Sequence, residues 1–166
     1  MSVSRLRPSR TNIMYKHVLV AVDGSAGSHR ALTEAIRLAS ACGAHLEILH
    51  VIDYTFLQYE TAYGVRADLC PKLLSAGQCI LQDAAYIAEK SGLDHSEKLI
   101  DDLLSMGDVA RQVNEYVETC RAGVVVVGTH GRRGIRRLLL GSVAETLARA
   151  CLVPVLLVRD VSNEGG

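Results

Sequence analysis

The segment VVVVGTHGRRGIRRLLLGSVAE, residues 124–145, contains the elements that decide the fold. Val124–Val127 is an uninterrupted β-branched run, which is typical of a strand buried on both faces of a parallel sheet. A loop rich in glycine and arginine follows it, and a helix is predicted from Ser142 to Ala150. A buried strand that leads through a short loop into a helix indicates part of a β-α-β unit.

The rest of the chain repeats this alternation on both sides of the segment. Short apolar runs predict four further strands, at His17–Val22, His45–Ile52, Glu97–Leu104 and Val155–Arg159. Helices are predicted between them, from Ser25 or Ser28 to Gly43, from Ala67 to Lys90 and from Asp108 to Cys120. The order favours a single-domain α/β protein, with an open five-stranded parallel sheet and helices on both faces, a Rossmann-like fold.

Two details of these elements can be predicted further. Asp101 and Asp102 interrupt the third strand, so we expect it at an edge of the sheet, where charge is tolerated. In the second helix, one buried face is expected to hold apolar residues at helical spacing, namely Leu69, Leu73, Ile80, Ala84 and Ile87.

Length and composition bound the domain organisation and the partners. The 166 residues suit one domain, which we place at residues 15–160, between a disordered extension at 1–14 and a flexible tail at 161–166. Met14 is an alternative start. The 18 basic and 18 acidic side chains cancel, so no global field draws the protein to nucleic acid or to an anionic membrane. No apolar run approaches the roughly 20 residues that span a bilayer.

The five cysteines are odd in number and scattered, and none forms a Cys-x-x-Cys pair. This pattern indicates neither a disulfide framework nor a zinc site. Free thiols favour a reducing compartment, so we expect a cytoplasmic protein.

The glycine-rich loop predicts an anion site. Gly128 and Gly131 are expected to let the backbone approach a ligand and to adopt positive φ. Gly141 and Ser142 then enter a helix whose free N–H groups and dipole favour an anion, with polyphosphate as the natural occupant.

Structural readings of the same residues remain open. Ser142 and Glu145 match a Ser-x-x-Glu capping box. The arginines of the loop, Arg132, Arg133, Arg136 and Arg137, are equally consistent with a solvated face or a small nucleic-acid patch. The segment lacks both the Gly-Lys-Ser/Thr of a P-loop and a Gly-x-Gly-x-x-Gly array, so a conventional NTPase is not indicated.

Two stretches resemble the universal stress protein family, HVLVAVDGSAGSHRAL at 17–32 and VVVVGTHGRRGIRRLLLGSVAETLARACLVPVLLVR at 124–159. The resemblance covers residues 17–159. The ATP-binding branch of that family is marked by Gly-x2-Gly-x9-Gly-Ser/Thr, which Gly128, Gly131 and Gly141-Ser142 match completely. The resemblance implies a fold similar to that of the adenine nucleotide alpha hydrolases. It also implies that the bound cofactor is ATP, with or without Mg²⁺.

The resemblance also implies a role for each site residue. Asp23 would hold the ribose hydroxyls or reach the adenine side, and Ala21 and Val22 would line that wall. Val51 would meet the adenine edge through its backbone. The phosphate side would be formed by residues of the glycine loop and the helix start, namely Gly128, His130, Gly131, Gly141, Ser142, Val143 and Ala144. Asp23 before Gly-Ser is also a common turn starter, which is the alternative reading of that residue.

No catalytic residue and no metal ligand are assigned. His130 has no acidic orienting partner in its motif, and phosphoryl transfer needs a metal-binding carboxylate and a positioned nucleophile. We therefore expect at most a slow or partner-dependent ATPase. The position after the first strand reads DGSAGS, without the Ser-Gly-Gly-x-Asp-Ser loop or the His-x-x-His element of adenylating enzymes.

The family resemblance implies a dimeric stress-response or signalling protein. Pro154–Arg159 would pair antiparallel with its copy across a two-fold axis, and its apolar sequence is a poor candidate for an uncovered edge. No nucleic acid and no membrane are expected as partners. The alternative is a nucleotide-independent dimeric interaction module of the same fold.

Overall fold

The computed structural model describes residues 14–55, 69–104, 108–131 and 140–159. Several predictions fall outside these ranges: the N-terminal extension before residue 14, the tail at 161–166, most of the loop at 53–66 and the four loop arginines. The described strands are β1 (His17–Ala21), β2 (His45–Val51), β3 (His95–Ile100), β4 (Val124–Gly128) and β5 (Val155–Val158). The described helices are α1 (Ala26–Cys42), α2 (Leu69–Lys90), α3 (Val109–Cys120) and α4 (Ser142–Ala150).

The five strands form one parallel sheet in the order β3-β2-β1-β4-β5. This confirms the predicted α/β class and the number of strands. The chain proceeds from β1 outward to β3, then returns to the other side of β1 for β4 and β5. The strand order therefore reverses between β1 and β4, and this junction is where open α/β sheets bind ligands.

The third strand differs from its prediction at both ends. It begins at His95, which pairs with Leu46, and it ends at Ile100. Asp101 and Asp102 follow the strand, because aspartate favours turns over extended pairing. The expected edge position of β3 is confirmed.

Each face of the sheet has its own apolar core. On one face, Val18, Val20 and Ile48 pack with buried residues of α1 and α2. On the other face, Leu19 and Val125 pack with buried residues of α3 and α4. Alternate residues of a strand point to opposite faces, so the continuous apolar runs supply both cores.

The first helix begins and ends at residues that cap it. Ser25 is the N-cap, and its hydroxyl accepts a hydrogen bond from the Ser28 N–H at 3.2 Å. Of the two predicted caps Ser25 is therefore correct, and Ser28 lies buried inside the helix. The helix ends at Gly43, whose φ of 61° is the left-handed conformation that favours glycine.

The buried face of α2 is displaced from the predicted one. Its buried residues are mostly small, namely Gly77, Leu81, Ala84, Ala85 and Ala88. Ala84 was predicted correctly, whereas Ile87 is 39% exposed. Small side chains bring the helix close to the sheet. The predicted Leu73 and Ile80 are partly buried and pack against apolar clusters, so the prediction was correct for part of this face and wrong at Ile87.

One carboxylate lies inside the core beneath α3. Glu47 of β2 is 8% exposed and accepts hydrogen bonds from the Tyr116 hydroxyl, at 2.6 Å, and from the Ser96 hydroxyl. Burial, and then the hydrogen bond to Glu47, raise the pKa of Tyr116 above its ordinary value. Buried charge is tolerated only when it is hydrogen-bonded, so these two hydroxyls permit Glu47 at this position.

Within the four described ranges, no helix is long and apolar enough to cross a membrane.

Candidate functional site

A cavity of about 630 Å³ opens at the carboxyl ends of β1, β2 and β4. It lies at the junction where the strand order reverses, which is the expected place for a ligand in an open α/β sheet. The first turn of α3 and the start of α4 complete its walls. A volume of this size is typical of small-molecule and cofactor sites.

All eleven residues predicted for the site line this one cavity. They come from three separate parts of the sequence: Ala21, Val22, Asp23, Val51, Gly128, His130, Gly131, Gly141, Ser142, Val143 and Ala144. The structure thus brings the strand ends and the glycine motif together. The contact that each residue makes with a ligand remains a prediction.

Further lining residues were not predicted, namely Ser28, Leu49, His50, Asp53, Leu73, Val109, Val113, Val127, Thr129 and Leu140. Two of them carried a usable signal. Val109 and Val113 are one helical turn apart at the start of α3, and a helix that follows an edge strand faces the sheet. His50 carried no signal, because a histidine inside an apolar strand is most simply read as a core residue.

One wall of the cavity is apolar. Leu49, Val113 and Val127 are each less than 5% exposed in the folded protein, and they belong to the core on the α3 and α4 face. Val51, at the end of β2, continues this surface with 7% exposure. A flat apolar ring can bury its faces here while its polar edge meets the strand ends.

The glycines of the motif have a structural role that differs from the predicted one. Among the glycines of the described chain, positive φ occurs at Gly24, Gly43 and Gly92, and not at Gly128 or Gly131. A Cβ at Gly128 would lie 2.8 Å from the carbonyl carbon of Gly27 and 2.9 Å from its oxygen. Gly128 is thus required for the close contact of β4 with the first turn of α1, and the expectation of positive φ was wrong.

Gly131 lies against Asp23, the residue that is expected to bind the ribose. A Cβ at this position would lie 2.7 Å from Oδ2 of Asp23. The Oδ1 atom of Asp23 accepts a hydrogen bond from the Ser25 N–H at 2.9 Å. Asp23 therefore does start a turn, as the alternative reading held, and its carboxylate also lies against the glycine loop. The two roles are compatible.

The start of α4 also differs from the predicted capping box. Gly141 is the N-cap, no side chain caps the helix, and Ser142 is its first residue. The first hydrogen bond runs from the Glu145 N–H to the Gly141 carbonyl oxygen at 2.8 Å. Glu145 instead forms an ion pair with Arg149 at 2.8 Å. The capping box fails because the Glu145 N–H, which the Ser142 hydroxyl would accept, is bonded to the Gly141 carbonyl oxygen, so Gly141 is the cap in place of Ser142.

This arrangement leaves donors at the helix start. The N–H groups of Ser142, Val143 and Ala144 precede the Glu145 N–H, which is the first intrahelical donor, so the helix itself satisfies none of them. The exposed hydroxyl of Ser142 lies beside them at the cavity wall. Together with the helix dipole, these groups form an environment that favours an anion.

His130 lies between Gly128 and Gly131 of the glycine motif. Its Nδ1 atom is 3.1 Å from the Thr129 hydroxyl, and its Nε2 atom is buried without a hydrogen-bond partner. A catalytic histidine is ordinarily oriented by a hydrogen bond to a second group such as a carboxylate. Here the partner is a hydroxyl, so the geometry gives His130 no general-base arrangement. Across the described residues, no cluster of three His, Cys, Asp or Glu side chains is arranged to hold a metal ion.

The side of the cavity formed by the β2 end rests on a smaller apolar cluster. Tyr54 is 2% exposed, packs with Leu73 and Leu74 of α2, and donates a hydrogen bond to Asp101. Burial, and then this hydrogen bond, raise the pKa of Tyr54. The cluster holds the first turns of α2 against β2, which places Leu73 in the cavity wall.

A parallel sheet with a ligand-sized cavity at its switch point defines a doubly wound α/β protein. The chain belongs to the universal stress protein family, whose sequence model matches residues 14–159. It is 30% identical, over 151 residues, to universal stress protein MJ0531 of Methanocaldococcus jannaschii, covering 91% of this chain and 86% of that protein. It is 28% identical to YxiE of Bacillus subtilis, covering 88% of this chain and all of YxiE.

Solved structures show the same fold. Protein MJ0577 superposes with a TM-score of 0.77 at 23% identity, covering 90% of this chain and 99% of that one. A universal stress protein in complex with cAMP superposes with a TM-score of 0.61 at 27% identity, covering 87% and 97%. One from Archaeoglobus fulgidus in complex with dAMP gives 0.63 at 20% identity, covering 87% and 98%.

Proposed function

We propose that this chain is an ATP-binding universal stress protein, a dimeric stress-response or signalling protein that holds the nucleotide in the cavity at the switch point. The observation that carries the proposal is the convergence of three surfaces on one cavity: an apolar wall, an acidic strand end and an uncapped helix start. These are the chemical requirements of a purine, a ribose and a polyphosphate. A similar protein crystallised with cAMP supports an adenine nucleotide as the ligand.

In the proposed complex the purine lies against Leu49, Val51 and Val113. Burial of its apolar faces contributes favourable free energy. The backbone of Val51, at the end of β2, offers polar groups to the edge of the base. The other end of the cavity is too polar for a base, which fixes the direction in which the nucleotide lies.

The ribose hydroxyls donate to Asp23, whose carboxylate lies against Gly131. The phosphates accept hydrogen bonds from the N–H groups of Ser142, Val143 and Ala144 and from the Ser142 hydroxyl. Charge-assisted hydrogen bonds of this kind are about twice as strong as neutral ones. Mg²⁺, if bound, would be held mainly by the phosphate oxygens.

The proposal assigns no catalytic residue. Asp23 already accepts the Ser25 N–H and faces the ribose position, so it is poorly placed to activate water. Any hydrolysis is expected to be slow or partner-dependent. The cytoplasmic location expected from the cysteines stays a prediction.

The dimer of the proposal uses the edge strand β5. Strand β5 begins directly after Pro154 and is the last strand on its side of the described sheet, and Leu156 is 41% exposed. Antiparallel pairing with a second copy would satisfy this edge and cover apolar surface. A nucleotide-independent dimeric interaction module remains the second candidate.

The test is denaturing release and chromatography of nucleotide that co-purifies with the chain and with Gly141→Arg. A Cβ at Gly141 would lie 3.1 Å from the Thr129 carbonyl oxygen and 3.7 Å from the Cα of His130, so a long side chain there must displace the backbone that forms this side of the cavity. Leu104→Arg, at a side chain 92% exposed, is the matched control. We expect adenine nucleotide from the wild type and the control, and little from Gly141→Arg.

Equal nucleotide in all three proteins would exclude the proposed phosphate site. No nucleotide in any of them, together with no rise in melting temperature on adding ATP, would favour the nucleotide-independent module.

A further inference from the structure

His50 is a buried histidine at the end of β2, next to the cavity. Its side chain is 5% exposed, and its Nδ1 atom is 2.7 Å from the carbonyl oxygen of Val22. A carbonyl oxygen can only accept a hydrogen bond. The Nδ1 atom of His50 must therefore carry a hydrogen, and it donates that hydrogen to the last residue before Asp23.

The Val22 carbonyl lies just beyond the paired part of β1. The pairing of β1 with β2 ends at Ala21 and Leu49, and the Val22 N–H adds a last bond to the Leu49 carbonyl oxygen at 2.9 Å. The chain then turns at Gly24, with φ of 80°. Val22 is 5% exposed, so its carbonyl oxygen would be a buried acceptor without the imidazole, which is unfavourable.

Gly77 of α2 makes the space for this ring. A Cβ at Gly77 would lie 2.9 Å from Cδ2 and 3.3 Å from Nε2 of His50. The imidazole is therefore fixed between α2 and the end of β1. Gly77 itself does not line the cavity.

We propose that His50 is a positioning residue for the nucleotide site: by donating from Nδ1 to the Val22 carbonyl it holds the Val22–Asp23 wall in the binding geometry. The inference rests on the proposed function for its ligand. Asp23 follows Val22 directly, and its carboxylate must face Gly131 to reach a ribose. Loss of the bond lets this strand end take other conformations, and the apparent affinity falls by the fraction of molecules that remain competent.

The first measurement is independent of any ligand. Long-range ¹H–¹⁵N correlation spectra of the imidazole report which ring nitrogen carries the hydrogen. We expect a protonated Nδ1 at His50 in the nucleotide-free protein. A ring protonated only at Nε2 would overturn the proposal.

The second measurement compares ATP affinity among three variants by calorimetry. His50→Leu keeps the bulk and removes the donor, and a fall of about tenfold in affinity is expected if a tenth of the molecules stay competent. His50→Asn places an amide N–H near the position of Nδ1 and should restore affinity to within about threefold of the wild type. Gly77→Ala displaces the ring from outside the cavity and should weaken binding as His50→Leu does.

A merely structural role for His50 predicts a different pattern. The three variants would then lose resistance to urea while binding ATP as tightly as the wild type once folded, and this result would overturn the proposal. If His50→Leu does not fold, His50→Asn and Gly77→Ala decide between the two patterns. If the wild type binds neither ATP nor another adenine nucleotide, the proposed function fails, and the imidazole spectrum still tests the bond to Val22.

Discussion

Gly128→Ala should destabilise the folded protein even when no nucleotide is present. The added methyl group would lie 2.8 Å from the carbonyl carbon and 2.9 Å from the oxygen of Gly27. Ordinary carbon contacts are about 3.5–4.0 Å, so the overlap is about 0.7 Å against backbone that cannot rotate away. Either α1 or the end of β4 must move.

The expected cost is that of an overpacked interior. Insertions of this kind cost about 1–3 kcal/mol, and a middle value of about 2 kcal/mol corresponds to a fall of about 4–8 °C in melting temperature for a chain of this length. Urea unfolding of the nucleotide-free protein measures the free energy directly.

Gly92→Ala is the control, because nothing lies within 4 Å of its Cβ position and its φ is 72°. Its cost of about 1 kcal/mol would come from backbone strain alone. A Gly128→Ala variant within about 0.5 kcal/mol of the wild type would refute the close contact with Gly27. If only its ATP affinity fell, the glycine would be required by the ligand.

Three further predictions concern the remainder of the chain. Tyr116→Phe removes one of the two hydroxyls that donate to the buried Glu47 carboxylate, and it should lower the unfolding free energy by about 2 kcal/mol. An unchanged urea midpoint would contradict this. The pKa values of Tyr54 and Tyr116 are raised by folding, so the stabilisation is complete below the ordinary value of about 10 and is lost as the pH rises above it. Unfolding measured between about pH 9 and 12 should show this decline, and replacing both tyrosines by phenylalanine should flatten it; an equal slope would argue against the raised values. Leu156→Lys should convert the proposed dimer to a monomer in sedimentation, whereas Leu104→Lys should not, and two unchanged dimers would exclude β5 as the interface.

The sequence predicted the sheet well because its signals are local. Val124–Val127 is apolar throughout, and such a run has few alternatives to a buried parallel strand. The predicted bounds of α4, Ser142 and Ala150, are also the observed ones. Edge strand β3 was displaced because none of its six residues is fully buried, so its sequence pattern is weak.

The long-range contacts of the glycine motif could not be predicted from the sequence. Its spacing located the cavity, yet the reason for Gly128 is the backbone of Gly27, about a hundred residues earlier in the sequence. Contacts of this kind depend on the packing of α1 against β4, which no local pattern encodes. The role of Gly77 beside His50 could not be predicted for the same reason.

The capping box was a plausible local pattern that the fold overrode. The Gly141 N–H bonds to the Thr129 carbonyl oxygen, which lies across the loop. Gly141 is the cap because its carbonyl oxygen accepts the Glu145 N–H, and Ser142 lies at the cavity wall. The result strengthens the case for an anion at this end of α4, because no side chain of the described residues caps the helix.

The most direct test of the central claim is calorimetric titration of ATP and of adenosine into the wild type and Ser142→Asp. A carboxylate at the first residue of α4 favours the helix dipole, so the folded protein should be as stable as the wild type or more so. The same carboxylate repels phosphates. With about 3 kcal/mol of repulsion, ATP should bind about a hundredfold more weakly while adenosine changes little. Equal ATP affinity in both proteins, or an equal loss for adenosine, would contradict a phosphate site at the start of α4.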